Sequence, residues 1–285
     1  MGNVAVDLAR VLTKTDAELA GSDVCDDALR RMRPHRLASI DVLSRSPVAR
    51  AKFTPVMMRE LGQLTAAEVT AIGDGIDGED EQAAAVRDAC AESAAHPDAE
   101  LTEGEAGPSG RAAEDVPRTA IRLRFGATPE RITATPDGLH VTVATADGSR
   151  TLEADAVVTA IGFTHATADA ARLGEQLAAA PHAGGDTGRL FGVGWFRHGP
   201  RGTIPETRRD ARAVADTVAD ALADPAVELG RPGLEAIRPL VPGAITYRQW
   251  LRIDAHERSH APADRCRRKL TDLDAMRRAA AEPAG

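Results

Sequence analysis

Apolar residues at Val4, Val6, Leu8, Val11 and Leu12 recur near helical spacing, so the pattern predicts a helix within the first few residues and no strand ahead of it. Arg36 to Leu43 (RLASIDVL) is a short predicted strand. Ser44-Arg45-Ser46-Pro47 follows as a turn, and Thr54 stands where it would cap a helix running through Leu61. Further along, the runs Thr119 to Phe125, Arg131 to Thr135, His140 to Thr145 and Thr151 to Ala154 alternate apolar with polar positions. Asp137-Gly138 and Asp147-Gly148 break them, which predicts an antiparallel meander. Ala156 to Ile161 (AVVTAI) is a continuous apolar run ending at Gly162, the pattern of a buried parallel strand, and Arg189 to Val193 before Gly194 is a second. Beyond Gly202 the periodicity turns helical, over Thr207 to Leu222, Ile245 to His260 and Leu270 to Ala281. Buried strands mixed with helices predict the α/β class. No internal repeat is visible, and the composition shift near Ile161 to Thr164 divides the chain in two.

With 285 residues, 43% of them hydrophobic, the chain is long enough for one large or two ordinary domains. Its formal charge of -8 is unevenly placed. Between Asp74 and Asp115 there are 13 acidic residues against two basic ones, Arg87 and Arg111, so the remainder is slightly positive. This stretch, with Gly104, Gly107, Pro108 and Gly110, is expected to be a linker or surface excursion, its Ala-rich part from Gln82 to Ala95 forming one solvated helix. An acidic partner-binding tail is the alternative. Aromatic residues make up only 3%, and the negative charge opposes phosphate backbones, so nucleic-acid binding is not expected. No run of about 18 apolar residues is present and Met1 leads into Gly2-Asn3-Val4 without a basic segment. Neither membrane association nor export is expected, and the expected location is cytoplasmic. Cys25, Cys90 and Cys266 are too few and scattered for a disulfide framework or a zinc site.

Gly2-Asn3-Val4-Ala5, opening an amphipathic helix, has the form of the second half of a dinucleotide-binding turn, where helix amides receive a pyrophosphate. The alternative is an ordinary helix start. Arg45 sits in the turn after the next strand, where a guanidinium can hold a ribose 2'-phosphate. His35, His140, His165, His182, His198 and His256 lack metal-ligand spacing with Cys or carboxylates. His256-Glu257-Arg258-Ser259-His260 has the HExxH form, in which two His would bind zinc with Glu257 as base, but no third ligand stands nearby.

These residues resemble a family. Gly2 through Arg10, the turn at Leu43 to Pro55, Ala160-Ile161-Gly162-Phe163, and Gly194-Trp195 through Gly202-Thr203-Ile204 are similar, in order and spacing, to adrenodoxin reductase-type ferredoxin-NADP reductases. Gln249-Trp250-Leu251-Arg252-Ile253-Asp254-Ala255, Arg258 and Arg268-Lys269-Leu270 resemble that family's closing helices. The resemblance covers nearly the whole chain but corresponds only to the C-terminal two-thirds of such an enzyme. It implies an α/β flavoprotein with two dinucleotide-binding domains, partial here: an NADP domain over residues 1–162 without its first strand, with the acidic excursion at 74–115, then a C-terminal segment of the FAD domain over 163–285. By position, Gly2, Asn3 and Val4 would lie on the NADP pyrophosphate and Arg45 on the 2'-phosphate. Trp195 would lie beside the flavin, with the Gly202, Thr203 and Ile204 amides along it. The implied activity passes hydride from NADPH to FAD and electrons to a ferredoxin. Arg197, Arg201, Arg208, Arg209 and Arg212 would face an acidic ferredoxin, or else simply solvent.

Departures from the family pattern bear on those implications. Arg45 is followed by Ser46 where the family has a second arginine, Met57 replaces a glutamate that contacts the nucleotide, and Pro205-Glu206-Thr207 replaces Gly-Thr-Asn. The family's first GxGxxG, for FAD, has no counterpart in the chain. The expectation is therefore an oxidoreductase that works with an N-terminal FAD-binding half supplied in cis or in trans. A non-catalytic remnant or partner-binding fragment is the second expectation.

Overall fold

The computed structural model describes residues 1–32, 37–95, 118–179, 182–183, 190–199, 204–223 and 232–281. In chain order, α1 (Asn3–Thr13), α2 (Asp16–Leu19) and α3 (Asp26–Met32) precede β1 (Ser39–Ser44), followed by α4 (Pro55–Gly62), β2 (Ala67–Gly73) and α5 (Glu81–Ala94). Next come β3 (Thr119–Phe125), β4 (Thr128–Thr135), β5 (Gly138–Thr145) and β6 (Gly148–Ala154). The remainder holds α6 (Ala168–Ala179), β7 (His182–Ala183), β8 (Leu190–Phe191), α7 (Trp195–His198), α8 (Ile204–Ala223), α9 (Leu234–Ile237), α10 (Tyr247–Ser259) and α11 (Leu273–Ala281). Two compact units result, residues 1–161 with 245–285, and residues 162–244.

The first unit is built on a parallel sheet of order β1-β3-β2. Alternate positions Val42, Ser44, Ile121, Leu123, Phe125, Ala67 and Val69 turn to one face and are buried. Val6 and Ala9 of α1, Met58 and Leu61 of α4, and Val86 and Ala89 of α5 belong to the same core. On the opposite face Asp41 of β1 pairs with Arg124 at 2.6 Å and Arg122 at 3.4 Å on β3, and Leu43 packs against Val141, Val143 and Ala127. The antiparallel meander β4-β5-β6 that carries Val141 and Val143 matches the sequence expectation for those three strands.

Thr119–Phe125 is not part of that meander. It pairs in parallel with both β1 and β2, because its alternating pattern suits any strand buried on one face and does not distinguish parallel from antiparallel neighbours. The Ala-rich segment is not a solvated helix either. In α5, capped by the Asp80 carboxylate on the Ala83 amide, Ala83, Ala85, Val86, Ala89 and Ser93 are all fully buried. Its small residues let α4 come so close that a Cβ on Gly62 would lie 2.5 Å from the Ala89 carbonyl oxygen. The part of the acidic stretch at 96–117 lies outside the described residues. Thr54 occupies the N-cap position of α4 but makes no side-chain cap bond; Pro55 fits the first turn, and the Thr54 amide donates to Asn3 Oδ1 at 2.7 Å.

The C-terminal helices of the first unit meet predicted positions. Thr246 and Gln249 form a capping box on α10, and Ile253 packs with Ala279 and Ala280 of α11. Ala156 to Ile161 is not a buried strand: among the described residues it pairs with no strand, and Val158 and Ile161 are 67% and 89% exposed. A continuous apolar run becomes a buried strand only between neighbours that supply its hydrogen bonds. Arg189 to Val193 is reduced to β8, paired with β7 over two residues each. In the second unit Leu177 and Val214 are the buried apolar residues among those described, while Phe163, Ile204, Leu234 and Leu240 are exposed.

Gly62→Ala drives a methyl into the α5 backbone, which cannot yield as a flexible side chain does. Urea unfolding of the variant is expected to show a loss of about 2 kcal/mol relative to the parent, the cost of overpacking a tight helix contact. An unchanged midpoint would show that α4 and α5 separate freely.

Candidate functional site

The carboxyl ends of β1, β2 and β3 lie side by side, since Phe125 is the register partner of both Ser44 and Gly73. Ligands of parallel α/β sheets bind beyond such an edge. The start of α1 is brought to this edge by a parallel bridge between Gly2 and Lys52 and by the Lys52 amide donating to the Met1 carbonyl at 2.8 Å. The Met1 amine donates to Ser44 Oγ at 2.9 Å at the end of β1, and Ser44 Oγ donates to the Ser46 carbonyl at 3.0 Å. Gly2, Asn3 and Val4 are thus placed near the turn that holds Arg45.

Several features suit this edge to an anion. Gly2 is the N-cap of α1 and offers no side chain to the first-turn amides, which have no partners within the helix. The first turn has no acidic residue, and a Cβ on Gly2 would meet nothing within 4 Å, so the backbone is open to close approach. Two exposed cations, Arg45 and Lys52, stand at this edge in a chain that is negative overall. Met57, in the first turn of α4, is half-buried and packs against the core.

The second set of predicted residues falls in the other unit. Gly194, at φ +61°, starts the short helix α7, and Trp195, half-exposed, lies with its ring 5.7 Å from that of Phe163. Gly202 and Thr203 lie outside the described residues, as does Arg201; Ile204 opens α8 and is 87% exposed. Trp195 and Ile204 both leave apolar surface in solvent. The residue that organises this turn is Asp210 of α8, which no sequence motif marks. Its carboxylate accepts from the Gly194 amide at 3.0 Å and from Arg197 Nη1 at 3.1 Å, and lies 2.8 Å from His198 Nε2. The His198 hydrogen bond above all, opposed by burial and aided by the Gly194 amide and the His198 and Arg197 charges, holds its pKa below the ordinary 3.8. Arg197 is thus tied down, while Arg208, Arg209 and Arg212 are exposed on α8.

The HExxH segment has a different use. Glu257 is buried, its Oε1 accepting from the Leu270 amide at 2.9 Å and its Oε2 from Arg267 at 3.2 Å, so the carboxylate binds the segment before α11 rather than serving as a base. The rings of His256 and His260 stack on each other at 4.2 Å. No group of three or more potential metal ligands converges among the described residues. Those residues also hold no helix long and apolar enough to cross a membrane.

The parallel sheet with helices on one face, the meander on the other and the closing helices make an α/β fold. The particular proteins it resembles are reductases. The chain is 35% identical over 282 residues to the cindoxin reductase of Citrobacter braakii, covering 96% of this chain and 58% of that protein. It is 28% identical over 301 residues to the NADPH-ferredoxin reductase FprA of Mycobacterium tuberculosis, covering 95% and 64%. The structure of Mycobacterium tuberculosis FprA in complex with NADPH superposes with a TM-score of 0.69 at 22% identity, covering 98% of this chain and 66% of that one. No family model matches. The chain therefore spans about six-tenths of the length of these relatives.

Since Asp210 ionises below its ordinary value in the folded state, its hold on the Gly194 turn is full above about pH 4 and is lost as pH falls through the lowered value. Trp195 emission in a Trp250→Phe background should report an acid transition that Asp210→Asn removes. The same acid midpoint with and without the carboxylate would count against this role.

Proposed function

We propose that these residues form the NADPH-binding domain and part of the FAD-binding domain of an FAD-dependent oxidoreductase that passes reducing equivalents from NADPH to a ferredoxin. The observation that carries the reading is the edge where Gly2, Asn3, Val4 and Arg45 meet at the carboxyl ends of β1 and β3. FAD, when bound, would accept hydride from NADPH and release electrons one at a time. The work of this chain is positioning. Gly2, Asn3 and Val4 would seat the pyrophosphate on the first turn of α1, with Arg45 on the 2'-phosphate. Trp195, Gly202, Thr203 and Ile204 would line the flavin. Ferredoxin is the proposed acceptor because the relatives are named for reducing such proteins, and the exposed arginines of α8 offer a basic face to an acidic partner.

The domain boundary proposed lies at 162/163, with residues 1–162 on the nucleotide side and 163–285 on the flavin side. The FAD pyrophosphate site is proposed to come from an N-terminal FAD-binding half, in cis or in trans. The exposed apolar run through Val157, Val158 and Ile161 and the few buried apolar residues among those described in 162–244 support this, since soluble proteins seldom leave such surface uncovered. The 285-residue polypeptide is therefore expected to purify without FAD. A flavin absorbance spectrum with one FAD released per chain on denaturation would refute that. Fused to the part of the cindoxin reductase outside the matched segment, it is expected to gain FAD and NADPH-dependent ferricyanide reduction.

Arg45 should set the nucleotide preference. Arg45→Ala is expected to weaken NADP+ binding by about tenfold or more and leave NAD+ nearly unaffected, because only NADP+ carries the 2'-phosphate. Ser46→Arg should sharpen the preference by adding a second guanidinium. Isothermal titration with both nucleotides checks this, and equal losses for both would displace Arg45 from the 2'-phosphate.

A further inference from the structure

We propose that Lys52 is a further nucleotide-binding residue, its ammonium holding the pyrophosphate at the first turn of α1; this rests on the nucleotide site proposed above. No sequence motif marks Lys52. Its position comes from the fold, since the segment after Arg45 runs back past the start of α1 so that Lys52 pairs with Gly2 and its amide bonds to Met1. Gly2 is the residue whose missing side chain leaves the approach to α1 open. The Lys52 side chain is exposed, and its charge reaches the Met1 amine at that same edge.

Neighbouring cations make the contrast. Arg10, near the other end of α1, pairs with Asp7 at 2.6 Å and Glu60 at 3.3 Å, and Arg59 of α4 pairs with Asp88 at 3.1 Å. Lys52 and Arg45, at the amide end of α1, pair with no carboxylate among the described residues. Cations next to helix amides, with no acid to neutralise them, repel one another until an anion arrives. The two have separate places. Arg45 follows β1, on the ribose side in the proposed site, whereas Lys52 is the backbone bridge partner of the glycine of the phosphate turn. A compact ammonium suits a pyrophosphate as a point charge. Lys52 therefore acts on NADP+ and NAD+ alike, since both carry the pyrophosphate.

The test is isothermal titration of the full 285-residue chain with NADP+ and NAD+ in low salt. Lys52→Ala should weaken both nucleotides by the same factor, about five- to tenfold for an exposed and partly screened charge. Lys52→Arg should restore affinity to within about twofold, and an unchanged thermal transition of each variant would show that the fold is intact. Loss confined to NADP+ would move Lys52 to the 2'-phosphate and overturn the pyrophosphate assignment. If Lys52→Ala binds both nucleotides as the parent does while Arg45→Ala loses NADP+, the Lys52 role falls and the nucleotide site stands. If the parent chain binds neither nucleotide, both fall.

Discussion

The pairing of Phe125 with Ser44 on one side and Gly73 on the other is the constraint on which the nucleotide-facing edge depends. One residue of β3 brings three strand ends into line, and the turns that leave them are then held to one another. The Ala127 amide donates to the Ser44 carbonyl at 2.8 Å, and the Val48 amide to the Asp74 carbonyl at 3.0 Å. The approach is close enough that a Cβ on Gly73, at φ +108°, would lie 1.9 Å from the Phe125 carbonyl oxygen, so only glycine serves there. Arg45 leaves this edge beside the start of α1 because β3 holds the end of β1.

Residues that act through their own backbone or through a short local pattern were legible in the chain. The helix at Asn3, the turn at Arg45, the three-stranded meander and the closing helices all follow from spacing and turn chemistry. Tertiary choices were not. In α5, alanine and acid together have the composition of a solvated helix, and only the contact with Gly62 and β2 makes the small side chains a buried face. In Ala67–Gly73 only Ala67 and Val69 are buried, with Glu68 and Thr70 exposed beside them, too few apolar positions to mark a strand by pattern alone. Lys52 and Asp210 owe their places to pairings across 50 and 16 residues, which no local pattern carries.

The two units differ in how their apolar side chains are used. In the first, the side chains between the parallel sheet and α1, α4 and α5 are almost wholly removed from water, which is the main source of stability for such a layer. In residues 162–244 polar anchoring takes a larger share, with Asp210 fastening the Gly194 turn to α8 while large apolar side chains remain in solvent. Among the described residues, a turn fastened by one carboxylate is thus defined in shape with few buried apolar side chains about it.

The outer edge of β2 carries a feature of another kind. Ser93 of α5 accepts from the Val69 amide at 2.8 Å and donates to the Ala67 carbonyl at 3.3 Å, and the Arg118 guanidinium reaches the Ala67 and Ser93 carbonyls. A helix side chain thus takes the hydrogen bonds that a neighbouring strand would otherwise claim. At the start of this edge, the Val69 N–H and the Ala67 carbonyl are therefore already taken and are not offered to a further strand. A serine hydroxyl, buried and bonded to three partners, here acts as the selvedge at the start of that strand.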